Sequence, residues 1–181
     1  DGHAILAAAP FVGEDEPVAV LFGDDIIDGD APAIGQLIDT FNKHQGPVVA
    51  VQEVPHESVS SYGVIDGKDL GDREWEIKTF VEKPKVEDAP SNLAAVGRYV
   101  ITPEILRMLA TQTPGKDGEI RLADAFMTYL ASGRSMYGCQ FTGDRYDCGN
   151  KLQFILAQIQ LGLQHDEVSA GLREYLRNLS V

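Results

Sequence analysis

The 181 residues predict an α/β fold, a mixed sheet with helices on its faces. Three observations carry this. Strand and helix patterns alternate from Val18 to Val51. The middle of the chain reads as strands separated by polar, Gly-bearing turns. Helical periodicity then returns and continues to the C-terminus.

Taken in order, Val18–Leu21 is an apolar run of strand type. Asp30 is placed to cap a helix with Ile34, Leu37, Ile38 and Phe41 on one face and Gly46 as its stop. Val48–Val51 is a second, β-branched strand. Strand, helix and strand in this order imply a parallel pairing. Ser60–Ile65, Glu74–Glu82 and Leu93–Ile101 are the middle strands, with Asp66–Asp72 as a turn. Trp75 and Ile77 alternate with Glu74, Glu76 and Lys78, so one face of that strand is wet and the pairing is antiparallel or mixed. Thr102 caps a helix with Pro103 at its first position. Glu119–Ala131 is a further helix, ended by Gly133, and Ser135–Phe141 is the last strand. Two helices, Lys151–Leu163 and Ala170–Leu179, close the chain. Their apolar stripes either pack on the sheet or form a dimer contact.

Composition narrows the function. The net charge is −13, which disfavours nucleic acid and anionic membranes as partners, because both need basic surface. No apolar run reaches the length of a membrane span, and no basic n-region of a secretory signal stands at the start. The two cysteines, Cys139 and Cys148, have no metal-ligand spacing, so a reduced, cytoplasmic setting is the default.

Several segments can carry chemistry. Leu21-Phe22-Gly23-Asp24-Asp25 ends a strand in two carboxylates, and parallel sheets place ligands beyond the carboxyl ends of their strands. The pair is either a turn or cap device, or it presents one carboxylate to Mg²⁺ against phosphate. Glu82-Lys83-Pro84-Lys85 is either a charged strand end or a place where Glu82 accepts from sugar hydroxyls and Lys83 meets a phosphate. Neighbouring strand residues point oppositely, so both can serve one ligand only near a strand end or bulge. In Tyr146-Asp147-Cys148-Gly149-Asn150, Asp147 or Asn150 caps the following helix, or Asp147 is a second metal ligand. Gly63 and Gly97 interrupt strand patterns, as at a bulge or a close ligand approach. His3, His44, His56 and His165 have no metal spacing, and no nucleophile elbow is visible, which favours phosphate transfer without a protein nucleophile.

Together these segments resemble the sugar-1-phosphate nucleotidylyltransferases. The matching runs are Gly2–Leu6, Leu21–Asp25, Ser61–Ile65, Phe80–Pro84, Val96–Ile101, Gly118–Ala125 and Gly143–Leu152, in family order over nearly the whole chain. The last two point to the uridylyltransferase branch, which uses UTP and glucose 1-phosphate, rather than the thymidylyl or guanylyl branches. The resemblance implies a Rossmann-like mixed sheet of the nucleotide-diphospho-sugar transferase type. It implies that glucose 1-phosphate attacks the α-phosphorus of UTP with Mg²⁺ present, giving UDP-glucose and pyrophosphate. By the same carry-over Asp24 and Asp147 hold Mg²⁺, and Lys83 holds the sugar phosphate. Glu82 accepts from glucose hydroxyls, Gly63 offers backbone contact to the sugar, and Gly97 lines the same pocket. Gly2 adjoins the segment that reads the base, and Asp25 supports from behind.

The family's N-terminal Gly-rich triphosphate loop has no counterpart here, so the expectation is an N-terminally truncated chain, inactive alone, with an exposed strand edge. Residues 1–150 form the nucleotidyltransferase portion, and 151–181 the C-terminal helices of a homo-oligomer. The alternatives are a non-catalytic sugar-phosphate-binding remnant or a related thymidylyl- or guanylyltransferase. Asp1 stands where this branch usually carries an apolar residue.

Overall fold

The computed structural model describes residues 1–115 and 118–180. In chain order the elements are α1 (Gly2–Ala8), β1 (Val18–Leu21), β2 (Asp25–Asp28), α2 (Ala33–His44), β3 (Val48–Glu53), β4 (Gly63–Gly71), β5 (Glu74–Glu82), β6 (Leu93–Ile101), α3 (Pro103–Thr111), α4 (Leu122–Ala131), β7 (Met136–Gln140), β8 (Asp144–Asp147), α5 (Lys151–Gln164) and α6 (Ser169–Asn178). The fold is mixed α/β, as predicted.

Six strands form one sheet in the order β1-β6-β3-β7-β5-β4, and the first residues of β4 also pair with β6. β3 and β7 are parallel, and the other pairings are antiparallel. β1 and β3 run in the same direction, as the strand–helix–strand pattern requires, but they do not pair. β6 lies between them, antiparallel to both. The local pattern fixes crossover direction, whereas a strand arriving some forty residues later takes the central slot.

β3 shows why its sequence is an unbroken Val-Val-Ala-Val run. Val48 and Ala50 enter a core under α2 with Leu37, Val96, Val100 and Phe141. Val49 and Val51 enter the opposite core with Ile65, Ile77, Tyr99, Ile105, Leu109, Leu122 and Phe126. A strand covered on both faces is apolar throughout. α3 and α4 supply the second cover, and α1 packs on α3.

Local differences from the sequence reading have identifiable causes. α2 starts at Ala33 behind Pro32 rather than at an Asp30 cap, and Gln45, in the left-handed region at φ 57°, ends it in place of Gly46. Ala33, Leu37 and Thr40 are its buried residues, while Ile38 faces outward. The polar stretch 66–71 is not a turn. It continues β4 paired with β5, with register shifts at Asp66/Gly67 and Asp69/Gly71, and the hairpin closes over Asp72 and Arg73, whose φ values of 52° and 64° are those of a two-residue primed turn. The ladder partners on β5 hold a stretch whose own composition reads as loop. α4 begins at Leu122 rather than Glu119. The apolar stripe of α5 does not pack on the sheet. Leu152, Phe154, Ile155 and Leu156 are exposed, and Ala157 is the buried residue of that helix.

β2 and β8 form a separate antiparallel ribbon, pairing Asp25 with Asp147 and Ile27 with Arg145. Each strand is only four residues long. This ribbon, whose strands follow β1 and β7 in the chain and which is tied to mid-β6 at Gly97, positions the polar site.

Candidate active site

A cavity of about 330 Å³ opens where β1, β4, β5, β6 and the ribbon converge. Asp24, Gly63, Glu82, Lys83, Gly97 and Asp147 all line it, although they come from five separate sequence segments. Gly2 does not. It is buried, and a Cβ there would lie 2.8 Å from the Ile120 carbonyl oxygen, so its local constraint is packing against the segment before α4.

The floor is aromatic. Phe22, Phe80, Tyr99 and Phe126 line the cavity and contact one another, with ring centroids 5.5–5.6 Å apart along the chain Phe22–Tyr99–Phe126–Phe80. Burial, with the charges of Asp25 and Glu82, pushes the Tyr99 phenol above its ordinary range. It stays protonated at neutral pH and serves no base role.

Lys83 has φ 46°, an uncommon left-handed backbone for a side-chain-bearing residue. Its N–H donates to the Tyr62 carbonyl at 2.9 Å. The turn breaks strand alternation at the end of β5, so Glu82 and Lys83 both line one cavity instead of facing opposite sides. Gly63, opposite Glu82 in the ladder, must be glycine. A Cβ there would fall 2.6 Å from Phe80 Cζ and 3.0 Å from Glu82 Oε2.

Asp24 and Asp25 have different fates. Asp25 is 6% exposed. Its Oδ2 accepts from the Gly97 N–H at 2.7 Å and its Oδ1 from Arg145 Nε at 2.5 Å, while its carbonyl accepts from Arg98. A Cβ on Gly97 would lie 2.5 Å from Asp25 Oδ2, which explains the glycine inside β6. Asp24 is exposed to the cavity. Its carbonyl accepts from Cys148 N–H at 2.7 Å, tying the two acidic segments together. A Cβ at Gly149 would stand 3.1 Å from Asp147 Oδ1 and 3.4 Å from Asp24 Oδ2, so the two carboxylates flank one position. The helix-cap role belongs to Asn150, whose Oδ1 accepts from Leu152 and Gln153 N–H at 3.0 and 3.2 Å. Asp147 is thereby left for the site.

Charge decides what such a cavity can hold. Asp1, Asp24, Asp25, Glu82 and Asp147 face Lys83 and Arg145. Asp1 is occupied by the Gly2 and Leu122 N–H groups at 2.5 and 2.9 Å, and Asp25 by Arg145. Asp24, Glu82 and Asp147 remain in excess. A phosphate would be repelled unless a cation joined it. Two carboxylates suit Mg²⁺, which commonly uses one or two protein carboxylates and completes its shell with water and substrate phosphate. Among the described residues there is no cluster of three or more His, Cys, Asp or Glu able to hold a metal alone.

Sequence reasoning passed over Arg145, whereas Asp25 stands behind the site as expected, holding the Gly97 N–H and Arg145. The available clue was the spacing Arg145-x-Asp147, since residues two apart share a strand face. A second depression, of about 540 Å³ beside β1 and α1, meets the first at Asp1, Phe22 and Asp24 but is otherwise largely apolar.

The nucleotidyl transferase family model matches residues 2–162, so this chain belongs to that family. It is 45% identical over 180 residues to a UTP–glucose-1-phosphate uridylyltransferase of Staphylococcus epidermidis, covering 99% of this chain and 62% of the relative. It is 46% identical, with the same coverage, to UTP–glucose-1-phosphate uridylyltransferase 2 of Staphylococcus saprophyticus. A crystal structure of UDP-glucose pyrophosphorylase complexed with UDP-glucose matches with a TM-score of 0.83 and 42% identity, over 91% of this chain and 62% of that one. A UTP-bound UGPase from Acinetobacter baumannii matches at 0.86 and 33%, over 99% of this chain and 62% of that one. The chain thus spans 62% of the length of these curated relatives.

Proposed function

We propose that this chain is the sugar-phosphate- and metal-binding portion of a UTP–glucose-1-phosphate uridylyltransferase, which forms UDP-glucose and pyrophosphate from UTP and glucose 1-phosphate, and that it is inactive without the family's Gly-rich triphosphate loop. The observation that carries the reading is the convergence of Asp24, Gly63, Glu82, Lys83, Gly97 and Asp147 on one cavity with surplus negative charge. The names of the 45–46% identical relatives support the choice of substrates.

A sugar-phosphate oxygen forms the new bond to the α-phosphorus as the bond to pyrophosphate breaks. That oxygen is already anionic, so no protein base is needed, and positioning with charge neutralisation does most of the work. Lys83 meets the sugar phosphate. Glu82 accepts from glucose hydroxyls, and the Gly63 backbone supports the sugar where a side chain would collide. Gly97 keeps the pocket wall flat. Gly2 acts from behind, by holding the α1 entry segment near the base. Asp24 and Asp147 would hold Mg²⁺, which would supply neutralisation of phosphate charge.

The same reading divides the chain at residue 150, with a nucleotidyltransferase body and C-terminal helices. Leu152, Phe154, Ile155 and Leu156 on α5 are the self-association surface of a homo-oligomer. Ile155→Glu should lower the sedimenting mass, and an unchanged mass would remove that role. A cytoplasmic setting follows from the substrates and the unpaired thiols Cys139 and Cys148.

The deciding test is calorimetric binding of UDP-glucose with Mg²⁺. Lys83→Gln should weaken it about tenfold, the scale of one charge-assisted contact, without changing Tm, because Lys83 is exposed. Equal affinity for UDP-glucose, dTDP-glucose and GDP-mannose would sink the uridylyl assignment.

A further inference from the structure

We infer that Arg145 is a positioning residue that sets the Asp147 carboxylate for cation binding and insulates it from Asp25. The inference rests on the assignment of Asp24 and Asp147 as the metal pair. In the β2–β8 ribbon Asp25 and Asp147 are directly opposite, an arrangement in which like charges repel. Arg145 sits two residues before Asp147, on the same face of β8, and diagonally from Asp25. Its side chain is 8% exposed, and its guanidinium reaches both acids. Nε lies 2.5 Å from Asp25 Oδ1, and Nη2 lies 3.5 Å from Asp147 Oδ2.

The two contacts differ in kind. The Asp25 pair is buried on both sides, short and directional. The Asp147 contact is longer, and that carboxylate is about one-third exposed. Arg145 therefore spends its charge mainly on Asp25 and only steers Asp147. Tyr62 guides the plane of the fork, with the guanidinium carbon 5.3 Å from its ring centroid. On its other oxygen, Asp147 accepts from Gly149 N–H at 3.1 Å. One oxygen is thus held by a backbone donor and the other by a cation already committed elsewhere. The carboxylate is oriented beside Asp24 without being neutralised. Burial would lower the Arg145 pKa, but the hydrogen bond and charge of Asp25, aided by Tyr62, raise it. The guanidinium remains charged throughout the working range.

Two alternatives to arginine fail on geometry. A lysine offers one compact point charge and cannot span both acids with a planar fork. A neutral side chain leaves Asp25 buried and uncompensated. Partners that orient a metal ligand commonly contribute ten- to a hundredfold to metal affinity.

The test is Mn²⁺ alone, titrated by electron paramagnetic resonance, with Tm measured in parallel. Arg145→Lys should weaken Mn²⁺ binding about tenfold. Asp147→Asn should abolish it. The double variant Asp25→Asn/Arg145→Met removes both buried charges, so it should recover most of the Tm lost by Arg145→Met while Mn²⁺ binding stays weak. If Mn²⁺ affinity returns together with Tm, Arg145 acts only through the fold and the inference is overturned. Unchanged Mn²⁺ affinity in Arg145→Lys, with Asp147→Asn inactive in binding, also overturns it and leaves the metal pair standing. Mn²⁺ binding indifferent to Asp147→Asn overturns both.

Discussion

Two buried carboxylates, Glu74 on β5 and Asp25 on β2, serve different ends. Glu74, at the start of β5, accepts from Lys43 Nζ at 2.7 Å and from His44 Nε2 at 2.8 Å. His44 in turn stacks on Tyr137, with centroids 4.2 Å apart. None of these four residues lines a cavity described above. Asp25 is likewise buried and paired, but its partner Arg145 also touches Asp147, and beyond Asp147 lie Asp24 and Glu82 with, among the described residues of the cavity, Lys83 to balance them. In the first cluster every charge is consumed within the fold, tying the end of α2 to β5. In the second, consumption stops at Asp25 and leaves acid facing an opening. Buried charge alone does not mark a site, whereas surplus charge beside a cavity does.

The largest test of this contrast is a matched pair of amide substitutions. With the family's Gly-rich loop joined to the chain, Asp147→Asn should reduce Mg²⁺-dependent UDP-glucose formation on the order of 10²–10³-fold, the scale seen when one group stabilising developing charge is removed. Glu74→Gln should leave the rate per folded molecule unchanged. A comparable loss at Glu74, by steady-state kinetics on samples of equal folded fraction, would dissolve the distinction.

Gly97→Ala should be next. Its Cβ would lie 2.5 Å from Asp25 Oδ2 and 2.7 Å from Phe22 Cβ, so the carboxylate must leave its hydrogen bond with the Gly97 N–H. We expect a loss of about 1–3 kcal/mol in urea unfolding, accompanied by weaker Mn²⁺ binding. Loss of stability with intact Mn²⁺ binding would separate Asp25 from the site.

Glu74→Gln is the structural counterpart. It should cost about 1–3 kcal/mol through a buried acceptor that no longer matches its donors, with little from the half-exposed Lys43 contact. The pH dependence gives the smallest signal. Burial raises the Glu74 pKa, but hydrogen bonds and charge from Lys43 and His44 bring it below the ordinary glutamate value. Its contribution is therefore complete above the unfolded value and fades as pH falls through the lowered folded one. A Tm difference between wild type and Glu74→Gln that shrinks on acidification fits, and one that grows does not.

Much of this was legible beforehand. Val48–Val51, Glu74–Glu82, Leu93–Ile101 and Pro103 at a helix start are set by local pattern, and the structure places each there. Asp24, Glu82, Lys83 and Asp147 were legible as strand-end polar groups, and their shared cavity brings them together. The 66–71 segment was misread because its polarity was judged without the ladder that satisfies it. The α5 helix was legible, but the cover of its apolar stripe stayed open, because helical periodicity reports a stripe and not what covers it.

The sequence by itself determined the α/β class, the direction of the crossover from β1 to β3, and which residue types were available for phosphate chemistry. These depend on neighbours within about a turn or a strand length. Only the tertiary structure decided that β6 lies between β1 and β3, that Asn150 rather than Asp147 caps α5, and that Asp25 is consumed while Asp24 is not. The last depends on Arg145, 120 residues away along the chain. No local pattern carries that information, because a charge's role is set by which opposite charge the fold brings within a hydrogen bond, and by how much water is left around the pair.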